Sequence, residues 1–415
     1  MKAAAPRRAL RGAGLLFCAC LGGVAWAGAP TTPYVPESAA VVLQHVPAST
    51  DPRVRRFQRV KNSFRQHPND LGRALKLARA YVGYARSTGN ARFLGRALGV
   101  VDPWMQQDPA PIRALLLHAT ILQSRHHFKA ARNELRKILE RDPENAQAWL
   151  TLATVAMVQG DYSLANDACV HLAAVGGNFM GIACTATLRS LTGRAEQAWR
   201  LFSLIKHPGP EAPDAIHAWI HGLMADTARR LGKVEAADAH YRKALQWTPG
   251  DNFLLAAYAD FLLDQNRPEE VIELVREYTD SDTSFLRLVF AEAALGSPKA
   301  GRDIREMAAR FAAMDRRHTH VYRREQARFV LYLLHDPERA LRLAKKNWTV
   351  QRAPKDMRIF LAAALAAGKP AAAKPVLEVL AESHLQDPPV NRLARKVKAA
   401  PGESTALAER EGAQK

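Results

Sequence analysis

Apolar positions recur along most of the chain with a helical period, and a longer period is laid over it. In "AWLTLATVAMVQGDYSLANDAC", residues 148–169, large apolar and small residues return at three- and four-residue intervals on both sides of a Gln-Gly-Asp-Tyr break. That is the spacing of two helices that each bury one stripe. With Ala146 as the first position, Trp149 is fourth, Leu152 seventh, Ala153 eighth, Gly160 fifteenth, Ala165 twentieth, Cys169 twenty-fourth and Leu172 twenty-seventh. Ala153 and Ala165 are small where two antiparallel helices must approach closely, while Trp149, Leu152 and Leu172 fill the seam. Gly160 is suited to end the first helix and Asp161 to cap the second.

The same frame slides along the chain. Residues 112–145 supply Leu115, Ala119, Leu122, Ala131, Leu135, Ile138 and a closing Pro143. Residues from 218 onward supply Ala225, Ala228, Gly232, Ala237, Tyr241, Ala244 and Pro249, and those from 252 supply Leu255, Tyr258, Ala259, Leu262, Pro268, Val271 and Val275. The small residue of the second helix falls at Ala97, Ala131, Ala165, Ala198, Ala237 and Val271, with gaps of 34, 34, 33, 39 and 34. Ala340 and Ala373 are 33 apart, and the 69 residues between Val271 and Ala340 hold one degenerate unit. A unit of this size cannot bury its apolar face alone and must stack on its neighbours.

This period and these small positions resemble the tetratricopeptide repeat superfamily over roughly residues 68–398. Pro109, Pro143, Pro210 and Pro249 stand where that family closes its second helix, since proline cannot continue one. The resemblance implies an all-α fold, a right-handed superhelical solenoid of about nine antiparallel helix pairs. The chain also looks like exported bacterial proteins of this kind, a likeness that brings no activity with it. Three departures stand out. Residues 206–217, "KHPGPEAPDAIH", insert about five extra residues, the unit around 285–318 lacks the glycine turn at its usual place, and Pro375 falls inside the second helix of the last unit.

Residues 1–27 read separately. Lys2, Arg7, Arg8 and Arg11 precede an apolar run from Gly12 to Val24, and Ala25-Trp26-Ala27 offers small residues where a signal peptidase cuts. The run falls short of the roughly 20 residues of a spanning helix, so a cleaved secretory signal is expected. The mature chain is then placed in a bacterial periplasm or outer cell envelope, without an integral membrane segment. A lipid anchor through Cys20 is the less favoured form, because Phe17-Cys18-Ala19 is a poor approach to an acceptor site. Residues 28–67 are assigned to a Pro-rich arm or linker and residues 399–415 to a flexible tail.

Charge adds a second layer. The formal net charge is +19, of which four positive charges lie in the signal. Residues 53–96 hold twelve Lys or Arg against the single acid Asp70, residues 299–358 hold sixteen against seven, and residues 97–298 hold nineteen against twenty-four. Two basic ends flank a mildly acidic middle. Outside the cytoplasm such ends suit anionic lipid head groups, cell-wall polymers or an acidic protein rather than nucleic acid.

Catalytic constellations are scarce. In "HAWIH", His217 and His221 stand one helical turn apart, the spacing of a zinc-binding helix, but position 218 is alanine where the hydrolytic motif needs glutamate. Asp214, Glu211 or His240 would have to complete such a site. His126 and His127 fall at a turn, His318 and His320 fall in a basic stretch, and the tryptophans read as packing. No Gly-rich phosphate loop, nucleophile elbow or Ser-His-Asp order is present, and neither cofactor nor metal is expected.

The expected function is therefore a non-catalytic protein-protein interaction scaffold or adaptor with an unidentified protein or peptide partner. Basic ends that hold an anionic envelope polymer or lipid come second, and a metal-dependent enzyme built on His217 and His221 comes last. In the resembled family the first helix of each pair lines a concave face where extended peptides bind. That implies Arg113, Leu116, Gln123, Gln147, Leu150, Thr154, Met157 and Arg189 as candidate binding residues. Cys169, on the second helix of its unit, and Cys184, on the first helix of the next, are the only cysteines after the signal. Those two helices should pack, and a disulfide between them is expected.

Overall fold

A computed structural model describes residue 38 and residues 52–205, 212–317 and 321–400. The expected signal with Cys20, most of the arm, residues 206–211 of the insert, His318 and His320, and nearly all of the tail lie outside the described residues. Those described form twenty α-helices and two short 3-10 turns, with no strand among them. Helix α1 (Pro52–Gln66) precedes nine hairpins. They pair α2 (Leu71–Thr88) with α3 (Arg92–Met105), α4 (Ile112–Ser124) with α5 (Phe128–Arg141), and α6 (Ala146–Gln159) with α7 (Tyr162–Val175). Next come α8 (Gly177–Leu191) with α9 (Ala195–Ser203), α10 (Asp214–Arg230) with α11 (Val234–Trp247), and α12 (Asn252–Asp264) with α13 (Pro268–Val275). The last are α14 (Asp282–Ala294) with α15 (Ala300–Arg316), α16 (Arg323–Tyr332) with α17 (Pro337–Trp348), and α18 (Pro354–Ala366) with α19 (Lys374–Ser383), after which α20 (Pro388–Ala399) closes the array.

The 34-residue frame marks the seams. Ala97, Ala131, Ala165, Ala198, Ala237, Val271, Ala340 and Ala373 are all at 0 % exposure, because a larger side chain there would hold the paired helices apart. Hairpin ends obey local capping chemistry as well. Gly160 sits at φ +74°, left-handed backbone that releases α6, and the Asp161 carboxylate accepts from the Leu164 amide at 3.2 Å to start α7. No helix among the described residues is long and apolar enough to cross a membrane.

Four boundary expectations change. The arm assigned to residues 28–67 ends in helix α1, whose Phe57, Val60 and Phe64 pack on the core of α2 to α4 at helical spacing. The insert is shorter than residues 206–217, since α10 already begins at Asp214 after the extended Pro213. The unit around 285–318 does carry a glycine turn, Gly296 at φ +63° between α14 and α15, because its first helix starts earlier, at Asp282. Pro375 lies in the first turn of α19, behind a 3-10 turn over Pro370–Ala373, where its missing N–H costs no helical bond.

The array closes on itself. Asn252 Nδ2 donates to the Arg86 carbonyl at 2.9 Å, and Arg86 pairs with Asp251 at 2.5 Å, tying α12 to the end of α2. The Tyr322 hydroxyl donates to the Gly89 carbonyl, and the Arg352 amide donates to the Val158 carbonyl at 2.8 Å. Near the C-terminus, Gln386 accepts from the Ala195 amide at 3.2 Å and Asp387 accepts from Arg229 at 2.8 Å. The C-terminal helices therefore cover part of the first-helix surface of the N-terminal half. Carbonyls and amides at the ends of early hairpins lack helical partners, and late side chains and backbone supply them.

Candidate functional site

The first helices of six hairpins, α2, α6, α8, α10, α12 and α18, leave an apolar cleft of about 310 Å³. Leu150, Thr154 and Met157 of α6, Leu191 of α8, Trp219 and Leu223 of α10, and Pro354 at the start of α18 line it. Thr154 is exposed, but its hydroxyl already donates to the Leu150 carbonyl at 2.9 Å, so it presents a methyl-bearing wall rather than an unmet donor. Phe253 stands in the lining at 72 % exposure, the most exposed large apolar side chain among the described residues. Trp219 belongs to the cleft, whereas Trp104, Trp149, Trp199 and Trp348 pack in or against the core as expected.

The charged groups in the lining are the Arg86–Asp251 pair, Arg230 and Asp226. Arg230 donates from Nη1 to Ser190 Oγ at 2.8 Å and has no carboxylate within 4.0 Å among the described residues. Asp226 accepts from the Tyr241 hydroxyl at 2.7 Å. Burial alone would push its carboxyl pKa up, but Arg230, Arg229 and Lys355 hold it below the usual range, so it stays ionised.

Of the candidate binding residues, the structure brings Leu150, Thr154 and Met157 together in this cleft. The other five stand apart from it. Arg113 and Gln147 are exposed, while Leu116, Gln123 and Arg189 are half-buried outside the lining.

A second cavity, of about 320 Å³, shares Pro354 with the first and is charged. Arg287, at 1 % exposure, donates to both Asp260 oxygens at 3.0 and 2.9 Å and to Glu325 at 3.2 Å. Arg328 and Lys355 add contacts to Asp260 at 2.5 and 3.1 Å, and Arg358 makes a bidentate pair with Asp264 at 2.6 and 2.7 Å. Burial would raise the Asp260 carboxyl, yet Arg287, Arg328 and Lys355 hold it well below the ordinary carboxylate range. Each of these cations meets a carboxylate, with Asp260 shared by Arg287, Arg328 and Lys355, so the network fastens α12, α14, α16 and α18 to one another.

Sequence reasoning missed this network. Arg324, Arg328, Lys355 and Arg358 belong to the basic stretch 299–358, whose excess charge in the sequence suits an anionic partner rather than an internal network. Their first-helix positions were the available signal, since such positions face inward.

The histidine reading gains no metal cage. His217 stacks on Trp247 with ring centroids 4.1 Å apart, and His221 Nδ1 lies 3.0 Å from His240 Nδ1. His217 and His221 are both buried, against neighbouring helices rather than facing a cleft. No cluster of three or more His, Cys, Asp or Glu side chains suited to a metal occurs among the described residues. Cys169 of α7 and Cys184 of α8 are disulfide-bonded with Cα atoms 5.5 Å apart, and Cys184 also borders the apolar cleft.

Residues 188–300 match the family model described as Tetratricopeptide repeat. Among solved structures the chain is similar to PilW, a widely conserved type IV pilus biogenesis factor, at 14 % identity, over 48 % of this chain and 94 % of that one, with TM-score 0.39. It is similar to Pseudomonas aeruginosa pilF at 16 % identity over 48 % and 92 %, TM-score 0.37. The APC/C hetero-tetramer Cut9-Hcn1 aligns at 13 % identity over 83 % and 58 %, TM-score 0.43. No curated protein sequence matches the chain.

Proposed function

We propose that this chain, whose residues 188–300 match the tetratricopeptide repeat model, is a non-catalytic interaction scaffold whose α6–α12 cleft takes an extended, apolar segment of a partner protein. The observation that carries this is the cleft itself, an apolar hollow on first-helix faces with Phe253 left in water at its edge. Covering an exposed Phe contributes roughly 1.5–3 kcal/mol, enough to make it an anchor. Arg230 in the lining favours an acidic or carbonyl group on the segment beside its apolar side chains.

The signal-like first 27 residues support a location in the bacterial periplasm or outer envelope. The Cys169–Cys184 bond supports it too, since disulfides persist in oxidising compartments.

Photo-crosslinking tests the reading. A photoreactive residue placed at Thr154 of the mature chain should give a discrete adduct in envelope extracts. Leu150→Asp should abolish that adduct, while Arg395→Glu on the exposed face of α20 should leave it intact. No adduct, or one indifferent to Leu150→Asp, would sink the proposal.

A further inference from the structure

The two basic stretches of the chain, far apart in sequence, meet at one place. Arg92 at the start of α3 comes from the first, and Arg317 after α15 and Arg323 at the start of α16 come from the second. With Arg125 after α4 they line a cavity of about 510 Å³. None of the four has a carboxylate within 4.0 Å or a side-chain hydrogen bond among the described residues. The one acid in the wall, Asp282, is engaged at 3.1 Å by Arg310 from outside it.

This breaks a habit of the molecule. Arg229, Arg287, Arg328 and Arg358 each meet a carboxylate at 2.5–2.9 Å. Arg125 and Arg323 are half-buried, so they cannot swing freely into bulk water, whereas Arg92 and Arg317 are exposed at the mouth. Like charges around a concave wall repel one another and focus a positive potential into the hollow.

Apart from Asp282, whose charge Arg310 meets, the rest of the wall is neutral and held in place. Burial, then Arg324 and His127, lower His126 to about 4, so its ring is uncharged at neutral pH and its Nδ1 accepts from Gln351 Nε2 at 2.8 Å. Burial and then Arg125 likewise lower His127. The Tyr322 hydroxyl is committed to the Gly89 carbonyl. The charge of the hollow is therefore that of its guanidinium groups.

A planar carboxylate satisfies one guanidinium fork, but a phosphate group presents oxygens in several directions and can take forks from opposite walls. We propose that this cavity binds a compact, multiply charged phosphate-bearing group, either a free polyphosphate or a lipid head group, at a site separate from the apolar cleft.

Calorimetric titration of the full mature chain with sodium pyrophosphate at low salt tests it, with co-sedimentation on phosphatidic acid vesicles, whose phosphomonoester can carry two charges, run in parallel. The pocket pair Arg92→Glu with Arg317→Glu changes two exposed residues, and the control pair Arg136→Glu with Lys137→Glu makes the same charge change on the exposed face of α5. The pocket pair should weaken binding at least about tenfold, the control pair less than about threefold, and moderate salt should weaken the wild type. Saturable pyrophosphate binding with this pattern assigns a free polyphosphate, and vesicle capture alone with this pattern assigns a head group. Binding of neither probe, or equal loss in both pairs, would overturn the proposal.

Discussion

Arg229 on α10 donates through Nη2 to the carboxylate of Asp387, 2.8 Å away and 158 residues later in the chain, with the two side chains only 14 % and 2 % exposed. The same carboxylate accepts from the Val390 amide at the start of α20. One residue thus caps the last helix and anchors it to the fifth hairpin. Replacing it by Asp387→Ala leaves a largely buried guanidinium with only Asp226 among the described residues, 4.0 Å away, and uncaps α20, which should cost about 3 kcal/mol. Asp387→Asn keeps an acceptor for the cap and should cost less. Urea denaturation distinguishes them, and an alanine variant as stable as the wild type contradicts the account.

Acid should loosen the charged cavity in a defined window. Burial alone would raise the Glu325 carboxyl, but Arg287 and Arg324 override it and hold the pKa at about 2, below the ordinary 4.5. A depressed carboxylate contributes stability that is fully present above the unfolded value and is lost as pH falls through the folded one. Stability should therefore drop between about pH 4.5 and pH 2. In Arg287→Met that drop should be smaller and end at higher pH, because the folded-state value rises toward 4.5 once the strongest opposing charge is gone. Denaturation midpoints measured across this range check it, and overlapping profiles for the two proteins would refute it.

Reduction should weaken the third and fourth hairpins. The Cys169–Cys184 bond closes a loop of 15 residues, for which loop-closure entropy gives about 3 kcal/mol. Dithiothreitol should lower the unfolding midpoint of the wild type and leave the Cys169→Ala, Cys184→Ala double variant unmoved. Equal responses of the two would show that the bond adds nothing.

Two glycines should respond in opposite directions. A Cβ on Gly181 of α8 would lie 2.5 Å from the Ala173 Cα of α7, so Gly181→Ala must push the two helices apart, at a cost of about 1–3 kcal/mol. Gly83 of α2 has nothing within 4 Å of its added Cβ, and Gly83→Ala should stabilise by roughly 0.5–1 kcal/mol through helix propensity alone. Thermal melts of the two variants, run side by side, would expose an error in either sign.

The hairpins were legible because their packing is local. Ala131 and Ala165 repeat at 34 residues and both end fully buried, since every pair solves the same close-approach problem. Cys169 and Cys184 could be paired for the same reason, being on helices adjacent in the array. Closure was not legible. Asn252 meets the carbonyl of Arg86, and Arg352 that of Val158, across separations that belong to no period. The cleft was half legible. Leu150, Thr154 and Met157 follow from the first-helix face, but Leu116 and Gln123, one 34-residue unit before Leu150 and Met157, stand outside it. What decides between them is the C-terminal half, through Pro354, and nothing in a repeat frame announces which unit it will cover.

The contact of the Arg352 amide with the Val158 carbonyl also bears on how such a chain can change over generations. An open array can gain or lose one unit anywhere, because each unit touches only its neighbours. Here a duplication between α11 and α17 would carry every later partner one step past its mate, so that Asp387 no longer met Arg229 and Pro354 no longer bordered the cleft. Lineages that share this closure should hold their unit number constant while the exposed helix faces diverge, and length variation should gather at the two ends of the chain.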